Sequence, residues 1–268
     1  MLLPTDVYTD LAAEGDALDK LVADLADEQW ALPTPAPGWT IAHQVAHMAS
    51  VAGIARLAAA DPDTFIALTS GAADDFDGAV HALLVPYLAH PPGELLARWR
   101  SDRAAASDAL AALPPDQLVP WVAREIPAGV LACAGIMELF AHGQDIADAI
   151  GARRDYTDRI GHLAFFAARN RDFGYMVRGL EPPDEPFRFE LTAPSGDVWT
   201  FGPEDASQLV TGPATDFCLL VTRRRHRDDL AVTARGRLAD EWLNIAQAYR
   251  GSPGAGRQPG QFGAVAAA

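Results

Sequence analysis

The sequence predicts a mainly α-helical protein whose C-terminal part is a small α+β domain. Apolar residues recur at helical spacing as far as about residue 180, and the proline-rich segment Glu181–Pro186 then breaks this pattern. Beyond the break, apolar and polar residues alternate as they do in a strand, and helical spacing returns later. We therefore expect a helical domain at 1–180, a small α+β domain at 185–250 and a flexible tail at 251–268.

The helices of the first domain are bounded by capping residues, prolines and glycines. Their predicted ranges are 6–25, 41–60, 74–88, 94–113, 127–150 and 157–180. Thr40 can cap the second helix, because its side-chain oxygen can accept a hydrogen bond from an N–H of the first turn. Gly151 can end the fifth, because glycine readily adopts the left-handed conformation that follows many helices.

The second domain begins with a β-hairpin signal. Phe187–Thr192 and Val198–Phe201 read as strands on either side of a turn at 194–197. Residues 214–221 and 238–249 suit helices that flank a strand at 230–234, which predicts an α+β arrangement. The tail is rich in glycine, proline and alanine and offers few side chains that would anchor it.

Composition excludes several classes of partner. The net charge of −15 opposes a phosphate-binding surface, so we expect no nucleic acid and favour a small-molecule substrate. No apolar run reaches the length of about 18 residues that a membrane span needs, and the N-terminus does not read as a secretory signal. We therefore expect a cytoplasmic protein without a membrane span. Two cysteines far apart, Cys133 and Cys218, suit core positions, and both monomer and homodimer remain open.

The most informative polar residues lie in the fifth predicted helix. Glu138 and His142 are four residues apart, which places them about 40° apart around a helix and side by side on one face. Their neighbours are apolar, and a carboxylate and an imidazole in such surroundings are costly unless they are paired or bind a metal. With His47 from an earlier helix, the pair can hold a metal ion.

Two motifs carry a resemblance to a known family. The segments Gly38–His47 and Glu138–Gly151 resemble the DinB-like superfamily and, within it, the mycothiol-dependent maleylpyruvate isomerase group. The resemblance implies an N-terminal DinB-like four-helix bundle that binds a divalent metal, usually zinc. The ligands that it implies are His47, Glu138 and His142.

The C-terminal half carries a second resemblance. Leu219–Asp229 and Ala239–Tyr249 are similar to a subgroup catalogued only as metal-binding proteins, which has a sterol-carrier-like C-terminal domain. The resemblance therefore implies a mainly α fold, a four-helix bundle followed by an α+β sterol-carrier-like domain. Its wider group includes thiol S-transferases, a thiol-dependent isomerase and proteins without known activity.

The donor set limits the chemistry without naming the reaction. Two imidazoles and one carboxylate suit zinc with an open coordination position, and the same donors accept iron, manganese or nickel. A thiol in the open position becomes a nucleophile, which suits S-transfer or isomerisation of a small electrophile with mycothiol as the thiol. Water there suits a thiol-independent isomerase, cyclase or hydrolase of specialised metabolism. A non-enzymatic metal- or lipid-binding protein is the third interpretation.

Two further polar residues are candidates for a catalytic role. His43 lies one turn before His47 and is a candidate fourth ligand or hydrogen-bond partner of a ligand; the alternative is a surface histidine. Asp145 returns to the face of Glu138, where it can fix the tautomer of a ligand histidine or contact the metal. Its alternative is capping or ion pairing near the helix end.

The one basic run of this acidic chain is the candidate for cofactor binding. Arg223 and Arg224 begin the run at 223–227, which can bind carboxylates or phosphates of a substrate or thiol cofactor. The alternative is a solvated strand end paired with nearby acidic residues. Trp39 is predicted to pack the loop that leads into the second helix.

Overall fold

The chain folds into a helical unit and an α+β unit. In a computed structural model, the described residues are 6–70, 75–122 and 124–262. Contacts between them divide the chain into units at 6–154 and 155–262. The predicted mainly α fold with an α+β C-terminal part is confirmed. The division falls between Arg154 and Asp155, earlier in the chain than the boundary predicted near residue 180.

The helical unit is built around a four-helix bundle. Its elements are α1 (Val7–Val22), α2 (Ile41–Ala60), α3 (Pro62–Thr69), α4 (Phe76–Leu88), α5 (Pro92–Ala111), the short strands β1 (Leu118–Val119) and β2 (Ile126–Pro127), and α6 (Ala128–Ile150). Helices α1, α2, α5 and α6 form the bundle, and α4 packs on the outside of α2. The predicted start of α4 at Asp74 lies outside the described residues.

The helices of the bundle begin and end where local chemistry allows. Asp6 accepts a hydrogen bond from the backbone N–H of Tyr8, which caps α1. Gly151 follows α6 with φ +65°, so the predicted left-handed stop is present. The large side chains that fill the core of this unit are fully buried: Leu18, Ile41, Phe65, Leu84, Leu95, Trp99, Leu110, Ile136, Phe140 and Ile146.

The α+β unit is a four-stranded mixed sheet with helices packed on it. Its elements are α7 (Ile160–Arg169), α8 (Phe173–Met176), β3 (Phe187–Thr192), β4 (Val198–Phe201), β5 (Gln208–Pro213), α9 (Ala214–Val221), β6 (Thr233–Arg235) and α10 (Arg237–Leu243). The strand order is β4-β3-β5-β6. Strands β3 and β4 form the predicted antiparallel hairpin, and β5, which was not predicted, pairs in parallel with β3.

Packing explains why the division falls before α7. The helix predicted at 157–180 is present as α7 and α8, and α7 packs on α9 and β4 of the α+β unit. The core of the unit is aromatic: the ring centroid of Phe189 lies 5.6 Å from those of Phe217 and Trp242. Edge contacts of this kind add to the free energy gained from burial.

The described part of the tail contacts the basic run. The backbone N–H of Gly260 donates to both carboxylate oxygens of Asp229, at 2.8 and 3.0 Å. The guanidinium carbon of Arg225 lies 4.1 Å from the ring centroid of Phe262. These contacts hold residues that the sequence predicted to be flexible; the last six, 263–268, lie outside the described residues. Among the described helices, none combines the length and hydropathy that crossing a membrane requires.

Candidate metal centre

Three side chains from two bundle helices converge on one point. Nε2 of His142 lies 3.1 Å from Oε2 of Glu138, and Nε2 of His47 lies 3.3 Å from the same oxygen. One ligand atom from each of the three residues lies within 4.8 Å of the other two. No second group of histidine, cysteine or acidic residues at this spacing is found in the part of the chain that the structure describes.

The sequence positions these side chains through helix geometry. Glu138 and His142 project side by side from α6, as their four-residue spacing predicted. His47 faces them from α2, which packs against α6. The two histidine side chains are 12% exposed and that of Glu138 is 23% exposed, so the group is largely but not fully withdrawn from water.

The carboxylate at the centre of the group stays ionised. Burial would by itself raise the pKa of Glu138. The hydrogen bonds that join it to His142 and His47, together with the charges of those imidazoles, outweigh burial and hold the pKa well below its usual range. An anionic oxygen between two imidazole nitrogens is a donor set that can hold a divalent cation.

A buried glutamine, which the sequence analysis did not select, contacts this group from behind. The side chain of Gln44 on α2 is hydrogen-bonded through Oε1 to Nδ1 of His142. Its Nε2 donates to Oγ1 of Thr34 at 2.8 Å and lies 3.5 Å from Oδ2 of Asp145. Gln44 and Asp145 are fully buried. The only signal in the sequence was an amide between two histidines, His43 and His47, of α2.

Trp39 lies against the histidines. Its ring centroid is 5.8 Å from that of His142, with nearly parallel planes, and 5.4 Å from that of His47, edge to face. The loop before α2 carries Trp39, and Thr34 fixes this loop by donating its hydroxyl to the carbonyl of Trp39 at 2.9 Å. The loop packing predicted for Trp39 therefore takes place on the candidate ligands themselves.

The structure places the two predicted catalytic residues outside the converging group. His43 lies in the first turn of α2, where its Nδ1 accepts from the backbone N–H of Thr40 at 3.3 Å and lies 2.8 Å from the hydroxyl of Thr40. Burial, and then the charge of His81, lower the pKa of His43. Asp145 lies behind Gln44. A catalytic role for His43 and Asp145 stays a prediction.

The predicted cofactor-binding arginines belong to the α+β unit. Arg223 follows α9 with φ +60°, a left-handed conformation that is unusual for a residue with a side chain. Arg224 is buried and donates from Nη1 to the carbonyl of Thr222 at 2.6 Å. Part of the basic run is therefore packed into the unit rather than solvated. Binding of a cofactor by Arg223 and Arg224 stays a prediction.

Known proteins resemble this chain in sequence and in fold. Two uncharacterised proteins from two strains of Mycobacterium tuberculosis are each 45% identical over 254 residues, which is 95% of this chain and 99% of theirs. A crystal structure of the mycothiol-dependent maleylpyruvate isomerase matches with a TM-score of 0.55, covering 85% of this chain and 91% of that one. A structure of a variant of that enzyme matches equally well. Identities of 17% and 16% make this a likeness of fold.

Two family models match different parts of the chain. The C-terminal part was expected from its sequence to resemble a sterol-carrier domain. Residues 183–235 of this part match a family model described as wyosine base formation. Residues 11–147 match the model described as mycothiol maleylpyruvate isomerase N-terminal domain, and this range includes all three candidate ligands. The chain therefore belongs to the mycothiol maleylpyruvate isomerase N-terminal domain family, as the resemblance of its two motifs indicated.

Proposed function

We propose that this chain is a divalent-metal-dependent enzyme that activates a low-molecular-weight thiol, mycothiol, for S-transfer or isomerisation of a small electrophile. The observation that carries the proposal is the convergence of His47, Glu138 and His142 on one point. A structural zinc site is normally closed by four protein ligands, so three donors suit a site that keeps a position for a reactant.

The donors fit a divalent ion. Two imidazole nitrogens and one ionised carboxylate suit zinc, and iron, manganese or nickel accept the same set. When bound, the ion supplies Lewis acidity, which lowers the pKa of a thiol in the open position and makes it nucleophilic at neutral pH. The thiol itself is supported by the family, whose description and solved relative both name mycothiol.

The other residues of the centre have supporting roles in this proposal. Trp39 lies against both imidazoles and shields them from water on its side. Asp145 acts through Gln44, since its carboxylate lies beside the amide of that residue. Arg223 and Arg224 are the candidates for binding anionic groups of the cofactor or substrate. In an isomerisation, a thiolate would add to one carbon of a double bond, the remaining carbon–carbon single bond would rotate, and elimination would restore the double bond and release the same thiolate.

Metal content and thiol binding test this function separately. Purified protein is analysed for divalent metals, and mycothiol is then titrated calorimetrically into the metal-loaded and the metal-free protein. We expect one equivalent of metal, and thiol binding that requires it. His142→Ala should lose the metal, whereas the matched control His43→Ala, which removes a histidine of α2 outside the converging group, should keep it.

Three results would contradict the proposal in different ways. Wild-type protein without affinity for any divalent ion would contradict the metal site itself. Retention of one tightly bound ion by His142→Ala would contradict the assigned ligands. Metal binding without any heat from mycothiol would contradict the thiol and leave the thiol-independent metalloenzyme as the better interpretation.

A further inference from the structure

We propose that Gln44 is a positioning residue of the metal centre, which holds the proton of His142 on Nδ1 so that Nε2 is the nitrogen that binds the ion. Its importance for catalysis rests on the proposed function, but the position of the proton follows from hydrogen bonds alone. Gln44 lies outside the set of three ligands and touches one of them directly.

The hydrogen bonds that link Thr34, Gln44 and His142 have one direction, because the series ends at a backbone carbonyl, which can only accept. The backbone carbonyl of Trp39 accepts from the hydroxyl of Thr34 at 2.9 Å, so the hydroxyl proton points away from Gln44. Oγ1 of Thr34 then accepts from the side-chain amide of Gln44 at 2.8 Å, which identifies that end of the amide as the nitrogen. The other end is the oxygen, and it accepts from Nδ1–H of His142.

Asp145 supports the same orientation of the amide. Its Oδ2 lies 3.5 Å from Nε2 of Gln44. If the amide were reversed, its oxygen would face this carboxylate, and two acceptors would meet at a buried position. Gln44 and Asp145 are both fully buried, so that repulsion would be costly. The carboxylate therefore favours the amide orientation in which Oε1 faces His142.

His142 and His47 differ in the contacts of their Nδ1 atoms. Glu138 faces Nε2 of both imidazoles and, without an ion, draws a proton to that nitrogen. Gln44 opposes this at His142 by accepting from Nδ1. Nδ1 of His47 is buried without a hydrogen-bond partner among the described residues, so Glu138 alone decides the position of its proton. His142 is thus prepared for a metal, and His47 provides an internal comparison.

The test reads the position of the proton directly. Side-chain nitrogen shifts of the histidines are recorded by NMR on metal-free protein, and His142 is assigned from His142→Ala. We expect a proton on Nδ1 of wild-type His142 and a shift toward the form protonated on Nε2 in Gln44→Met, which keeps the length of the side chain and removes the amide. Zinc affinity, measured by competition with a chelator, should fall about 10–100-fold in Gln44→Met.

A second buried glutamine provides the matched control. Gln144 on α6 donates to Asp148 at 2.8 Å and is 5% exposed, so Gln144→Met removes an amide from a comparable environment. We expect it to leave the nitrogen shifts of His142 and the zinc affinity close to those of the wild type. If Gln44→Met fails to fold, Thr34→Val removes the hydroxyl that orients the amide and should produce the same change to a smaller extent.

Two outcomes would overturn the inference. One is a wild-type His142 whose Nδ1 carries no proton. The other is a folded Gln44→Met, or Thr34→Val in its place, with wild-type nitrogen shifts and zinc affinity. A wild type that binds no divalent ion would contradict the proposed function, while the nitrogen shifts of the metal-free protein would still decide the role of Gln44.

Discussion

A buried ion pair joins Arg154, in the segment that follows α6, to Glu14 on α1, and its removal should destabilise the helical unit strongly. Nη2 of Arg154 lies 2.7 Å from Oε1 of Glu14, and both side chains are 7% exposed. Nη1 of Arg154 donates to the carbonyl of Phe140 at 2.7 Å, and the guanidinium carbon lies 5.5 Å from the centroid of the Phe140 ring. Phe140 lies between Glu138 and His142 in the sequence, so the same arginine contacts the ligand-bearing stretch of α6.

We expect Arg154→Met to lower the free energy of unfolding by about 3–5 kcal/mol, because the buried carboxylate of Glu14 loses this cation and cannot recover its hydration. Replacing both partners removes the charge that would be left behind. The double variant Glu14→Leu, Arg154→Met should therefore be more stable than the single variant, since two apolar side chains often replace a buried pair at little cost.

Urea unfolding followed by far-ultraviolet circular dichroism measures these differences. The control is Arg237→Met, which breaks the exposed ion pair of Arg237 with Glu241 on α10 and should cost less than about 0.5 kcal/mol. A cost for Arg154→Met as small as that of the control would refute the reasoning from burial. So would a double variant that is no more stable than Arg154→Met.

Four further outcomes are expected. Zinc should change the tryptophan fluorescence of the wild type, and Trp39→Phe should abolish most of this change, because Trp39 lies on both histidines. Gly151→Ala should cost about 1 kcal/mol in urea unfolding, because the left-handed backbone opposes a Cβ there, whereas no residue beyond its chain neighbours would crowd that Cβ. Cys133, whose pKa burial raises to about 12, should resist alkylation in the folded protein at neutral pH, as measured by mass spectrometry. Burial and then the charge of His81 lower the pKa of His43 in the folded protein, so the imidazole of His43 binds a proton more readily in the unfolded chain. The free energy of unfolding should therefore fall as the pH drops below about 6.5, and it should fall less steeply in His43→Ala.

The helices of the four-helix bundle and the converging group were predictable because they depend on local spacing. The four-residue interval between Glu138 and His142 fixes their relation whatever surrounds α6. The end of α6 at Gly151 and the start of α2 after Thr40 were predictable for the same reason: a cap is a property of a few neighbouring residues. Such features need no knowledge of how the chain packs.

Features that depend on distant partners were missed. Strand β5 ends in Gly212-Pro213, a pair typical of turns, and it becomes a strand by pairing in parallel with β3. The amphipathic pattern of α7 indicated a buried face without indicating which core would bury it. Gln44 and Thr34 are connected to His142 only through tertiary hydrogen bonds, and no spacing rule selects them.

The candidate metal centre combines a fixed part with a part that can vary. His47, Glu138 and His142 lie on two packed helices, so helix geometry sets the distances between their donor atoms. Trp39 lies on the loop before α2, where a change of sequence can alter what reaches the ligands without altering the ligands themselves. Family membership therefore indicates the donor set more directly than it indicates the substrate. Thr34 belongs to both parts, because its hydroxyl holds the loop while its oxygen orients Gln44, so changes at this position should alter substrate access and metal affinity together.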